Sequence, residues 1–185
     1  MELTLNKLRS EGKIDDQDFL DRADVLGSMG YIVMISNYQR YFKLVEYFAK
    51  VTREKIGITL GMLNLENIFE ESYYDYLPGG ILESFSTLFS KDVKLYAYPS
   101  KSPVSNILYD LHSFNVEDHL VHLYQHLIVN NKIEAIEDFT EAYLAVQSEE
   151  ALESIQMGDD RWQQMVPKEV VRIVKEKRLF GYQQG

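Results

Sequence analysis

The chain has 185 residues, 45% of them apolar and 12% aromatic, enough for one domain with a substantial core. A formal net charge of −10 argues against a general nucleic-acid binder, because neutralising phosphates takes clustered Lys and Arg. The lack of cysteine excludes disulfides, thiolate nucleophiles and cysteine metal sites.

No apolar run reaches the roughly 18 residues of a membrane span. The opening Met1-Glu2-Leu3-Thr4 has neither a basic nor an apolar signal-peptide character. A cytoplasmic protein, clear of membranes, is the expectation.

In chain order, Leu3, Leu5 and Leu8 suggest a short helix broken at Gly12. Asp15 or Asp16 caps a second helix that carries Phe19, Leu20, Ala23 and Leu26 and stops at Gly27. This helical pair, residues 1–30, is expected to pack on an α/β core of residues 31–185, a single domain overall. The core opens with an apolar strand at 31–35, after which Ser36 and Asn37 are N-caps for a helix. Tyr41, Leu44, Val45, Phe48 and Val51 share one face of that helix, and a second apolar strand follows at 56–60.

Strand, helix and strand with short joints predict a βαβ unit over 31–61 with parallel strands. Leu65, Ile68 and Phe69 then mark a short helix capped near Asn64, and Pro78-Gly79-Gly80 makes a tight turn. Ile81, Leu82, Phe85, Leu88 and Phe89 form a helical stripe, and residues 93–98 alternate as a strand, with Val93, Leu95 and Ala97 on one side. The class is α/β (or α+β): a small, partly parallel sheet covered by helices.

Beyond this, residues 106–111 read as a strand and 116–129 as a helix with Val116, Leu120, Leu123 and Leu127 inward. An edge strand at 142–146 and a helix at 149–156 stopping at Gly158 come next. Pro167 fits the first turn of a last helix, which buries Val170, Val171 and Val174 before Leu179 and Phe180 pack after it. Charge is uneven here: residues 134–160 hold nine carboxylates and no Lys or Arg, whereas 161–178 hold six basic and two acidic residues. A solvated acidic face beside a basic helix is the plain reading, and a docking surface for a basic partner the sharper one.

Ligands of open α/β sheets bind outside the carboxyl ends of parallel strands. Those ends are Ser36-Asn37, Gly61 with Asn64, and Pro99-Ser100-Lys101-Ser102. Helix N–H groups after Ser36 and Asn37 favour an anion, and Arg40 adds a charge-assisted donor. Residues 31–98 also hold nine of the thirteen tyrosines, three of them in the acidic segment 70–80. Ser36, Asn37, Arg40, Asn64, Tyr73, Tyr74 and Lys101 are therefore the candidate ligand-binding residues. The plainer alternative makes them helix caps, a surface arginine and core-rim tyrosines.

Glu70, Glu71 and Asp75 offer carboxylates for a divalent ion in an enzymatic alternative. His119, His122 and His126 follow one helical side, but His119 and His126 lie about 10 Å apart along the axis, so one ion cannot take all three. A polar helix flank is the better reading, and no metal site is expected. No G-x-S-x-G, Walker A, G-x-G-x-x-G or H-E-x-x-H motif occurs, so no catalytic set and no cofactor can be named.

The strand ending in Ser36-Asn37 resembles the second motif of haloacid-dehalogenase-like phosphotransferases. The Asp-x-Asp nucleophile of that family is missing, since Asp16-Gln17-Asp18 stands at a helix start. Over more of the chain, blocks beginning Ala23-Asp24-Val25-Leu26-Gly27, Arg53-Glu54-Lys55-Ile56-Gly57 and Gly79-Gly80-Ile81-Leu82-Glu83, with the ending Leu179-Phe180-Gly181-Tyr182, resemble the C-terminal part of longer bacterial proteins. Those proteins are catalogued as nicotinamide-mononucleotide-adenylyltransferase-like. Without a His-x-Gly-His signature, the resemblance implies a companion domain rather than adenylyl transfer. The sequence thus leads to a ligand- or partner-binding domain without its own catalytic set. Its partner would be a small anionic ligand or a protein, with a homodimer left open; an acidic inhibitor of the immunity or anti-defence type is the third expectation.

Overall fold

A computed structural model describes residues 1–5, 16–90, 92–102 and 105–183. Among them the strands are β1 (Glu2–Thr4), β2 (Met34–Ser36), β3 (Ile56–Gly61), β4 (Val93–Tyr98), β5 (Ser100–Lys101), β6 (Leu108–Tyr109) and β7 (Ile133–Ala135). The α-helices are α1 (Asp16–Ser28), α2 (Tyr41–Val51), α3 (Met62–Phe69), α4 (Gly80–Leu88), α5 (Val121–Val129), α6 (Ser148–Gln156) and α7 (Lys168–Lys177). The protein is a mixed helix and strand chain with small parallel sheets, as its sequence pattern predicts.

The chain divides into two compact units. One joins residues 1–39 to 146–185; the other is residues 40–145. This replaces the expected boundary after residue 30. The reason is pairing across sequence: β1 and β2 form a parallel pair, and Val25 of α1 shares a core with Ile155, Trp162, Ile173, Val174 and Leu179 from the far end of the chain. Leu3, expected in a helix, is the middle residue of β1; Leu8, Gly12 and Asp15 lie outside the described residues.

In the first unit Trp162 is fully buried and meets Tyr182 edge-on, with centroids 6.0 Å apart. Asp21, also buried, accepts from the Phe180 amide at 2.5 Å and from Gln17 Nε2 at 2.6 Å. That carboxylate anchors a hook in which Arg178, Phe180 and Gly181 all have positive φ. In the C-terminal segment Arg172 holds Glu169 and Glu176 and Arg161 holds Asp159, whereas Lys177 reaches back to Asp24 in α1.

The second unit is built on a parallel sheet in the order β3-β4-β7. The expected βαβ unit over 31–61 does not form. β2 pairs with β1, whereas β3 pairs along its whole length with β4. A six-residue register satisfies far more backbone groups than the three residues of β2 can, so β4 is the better partner for β3. The true crossover runs from β3 through α3 and α4 to β4, and a second one runs through α5 to β7.

The edge strand expected at 142–146 does not form: its first two residues end a 3-10 turn, Glu141–Tyr143, and the third strand of the sheet is the short Ile133–Ala135 instead. The strand expected at 106–111 shrinks to Leu108–Tyr109, antiparallel to Ser100–Lys101.

Candidate ligand site on the open face of the sheet

The register fixes what each face of the β3-β4-β7 sheet carries, because side chains alternate with period two. Ile56, Ile58 and Leu60 stand beside Val93, Leu95 and Ala97, and Leu95 beside Ile133. All of these join the core that α2, α3, α4 and α5 close with Phe42, Val45, Leu65, Phe69, Phe85 and Leu127. The opposite face carries Gly57, Thr59 and Gly61 from β3, Lys94, Tyr96 and Tyr98 from β4, and Glu134 from β7. None of these belongs to the core, and Gly57 and Thr59 are exposed. Parallel sheets are ordinarily covered on both faces, so an open face of this composition is a place for something else.

At the amino end of that face is a cleft of about 360 Å³. Lys55, Lys94 and Lys132 line it, with Asp92, Tyr96, Asn130 and Asn131. Each charged group is set by a strand start. Lys55 and Lys132 immediately precede β3 and β7, and Asp92 precedes β4. The α5–β7 joint is a Schellman cap: the Lys132 amide donates to the Leu127 carbonyl at 2.8 Å and the Asn131 amide to Ile128 at 2.9 Å, with Asn131 left-handed at φ 53°. Lys132 thereby sits just past the negative end of α5, which favours a cation there.

Lys94 Nζ lies 2.7 Å from Glu134 Oε1, and this hydrogen bond holds the ammonium above the usual lysine range. Lys55 has no carboxylate partner among the described residues. The lining carries three lysines and the carboxylate of Asp92, with Lys94 matched by Glu134 just outside it. Tyr96 lies over Gly57: a Cβ there would stand 3.1 Å from its Cε2 atom. The glycine is what lets the ring lie down across β3.

The residues expected from sequence are distributed otherwise. Ser36 and Asn37 fall in the first unit, the other five in the second. Ser36 does not cap α2, which starts at Tyr41; its hydroxyl donates to Glu2 Oε1 at 2.5 Å and accepts from the Tyr38 amide. Asn64 is half-buried within α3 rather than at its cap, which is Gly61. Arg40 and Tyr73 do meet, the guanidinium 3.6 Å from the ring centroid, and the Tyr73 hydroxyl donates to Asn67. Tyr74 is buried, with its hydroxyl donated to the Ile68 carbonyl at 2.8 Å, and burial pushes its phenol up to about 12. Lys101 is tied to Glu141.

His119 pairs with Glu71, which raises its pKa, and Tyr109 donates to Glu66. Among the described residues no three His, Asp or Glu side chains gather for a metal ion. Among them, too, no helix is long and apolar enough to cross a membrane.

The cleft at the amino ends was not among the sequence expectations. Its signal was the recurrence of a charged residue directly before each strand of one sheet. No protein-family model matches the chain, and no curated protein or solved structure matches it significantly.

Proposed function

We propose that the chain is a binding domain for a small anionic ligand, seated in the cleft at the amino end of the open sheet face. The supporting observation is the convergence of Lys55, Lys94 and Lys132 on one concavity in a chain whose net charge is −10. Cations concentrated against the overall charge favour an anion at that spot, and the side walls reduce its exposure to screening salt. The cleft volume lies at the low end of the range for small-molecule sites, which suits a ligand no larger than a mononucleotide. A role beside a nucleotide-handling enzyme, as the bacterial resemblance implies, belongs to the same proposal.

Isothermal calorimetry with pyrophosphate tests it. Wild type should give saturable heat, weakened about tenfold or more in the Lys55→Gln/Lys132→Gln double variant and by raised salt. Absence of saturable heat with wild type refutes the reading.

A second reading, a homodimer, is favoured by one specific feature of the first unit. Tyr31 and Ile32 just ahead of β2 and Ile35 within it are 50%, 90% and 54% exposed. Apolar side chains grouped along a two-stranded sheet suit pairing with another copy. Sedimentation analysis decides this: a single-chain mass at high concentration rejects it, and a dimer mass lost in Ile32→Lys supports it.

A further inference from the structure

Tyr96 is the one aromatic ring in the cleft lining, and its placement narrows the ligand class. The ring lies across β3 because Gly57 leaves room beneath it, the nearest approach to a built Cβ being 3.1 Å. It shares its sheet face with Lys94, whose ammonium is 5.9 Å from the ring centroid and is paired with Glu134. Glu134 pairs in register with Tyr96 on the neighbouring strand and holds that ammonium over the ring. Thr59, also in register with Tyr96, is exposed, and the glycines on either side of it, Gly57 and Gly61, carry no side chain to cover the tyrosine. The partly exposed Tyr96 ring stands beside Lys55 and Lys132 within one small cleft.

Resting on the anion-binding reading above, we infer that the ligand joins its anionic group to a planar aromatic ring that stacks on Tyr96, as in a nucleoside monophosphate. The lysines hold the phosphate and the tyrosine holds the base. Stacking on an aromatic side chain tolerates any base, so the purine or pyrimidine identity is not selected by this contact.

Calorimetry with three probes separates the two layers of the proposal: pyrophosphate, ribose 5-phosphate and AMP, each against wild type, Tyr96→Phe and Tyr96→Leu. Wild type and Tyr96→Phe should bind AMP about fivefold or more tighter than ribose 5-phosphate, and Tyr96→Leu should lose that gap while keeping its pyrophosphate affinity. Gly57→Ala, which pushes the ring by a few tenths of an ångström, should narrow the gap and serves where Tyr96→Leu melts early. Equal affinities for AMP and ribose 5-phosphate in wild type, or a gap that survives in Tyr96→Leu, overturn the stacking inference and leave the anion reading standing. Failure of all three probes to bind wild type overturns both.

Discussion

Tyr74→Phe makes a quantitative test of the second unit's core. The hydroxyl is buried, donates to the Ile68 carbonyl at 2.8 Å, and its ring meets Phe42 and Phe85 edge-on at 6.1 and 6.5 Å. Phenylalanine keeps the ring contacts and removes one hydrogen bond, which costs about 1 kcal/mol near pH 8. The pH dependence is sharper. Burial raises the phenol from 10.0 to about 12, so between those values the unfolded state releases a proton that the native state keeps. The native state then holds more protons, and stability falls as pH rises. At pH 11 this penalty reaches about 1.4 kcal/mol for wild type and is absent from the variant.

Urea melts followed by far-ultraviolet circular dichroism at pH 8 and 11 should therefore show a wild-type advantage of about 1 kcal/mol that vanishes or reverses. The raised phenols of Tyr109 and Tyr124 are common to both proteins and cancel. An advantage that is constant from pH 8 to 11 refutes the reasoning.

Asp21→Ala strips the Phe180 amide of its acceptor and should destabilise the first unit by about 2 kcal/mol, read as an earlier change in the fluorescence of Trp162. Leu95→Ala, in the fully buried centre of the middle strand, should cost about 2–5 kcal/mol in urea denaturation of the second unit. His119 should titrate by nuclear magnetic resonance above its ordinary 6.5, and Glu71→Gln should bring it back, because the carboxylate stabilises the imidazolium. The stability this pair contributes is present below pH 6.5 and is lost as pH rises through the higher folded value. Lys55→Glu should abolish any pyrophosphate-induced rise in melting temperature without changing the melting of the free protein, since Lys55 is exposed.

Local pattern was enough to announce α2, α4, β3, β4 and α7, because each buries a stripe or an alternating row that can be read within a dozen residues. It failed where a choice of partner mattered. Residues 31–35 are as apolar as a buried strand, yet Ile32 is exposed and β2 takes a three-residue pairing with β1. β7 is too short for its period to stand out, and only its pairing with Leu95, Tyr96 and Ala97 makes it a strand.

The candidate site divides along the same line. Arg40 and Tyr73 do meet, but the crossover from which the sequence placed them on one rim does not form. The lysine cleft was not legible, because Lys55, Lys94 and Lys132 are far apart in sequence and meet only through strand order. Composition, charge and periodicity determined the α/β character by themselves, as they act over one turn or one strand. Which strands pair, and so which face is open and which charges gather on it, is a contest between distant segments for backbone partners, and only the tertiary structure decides that contest.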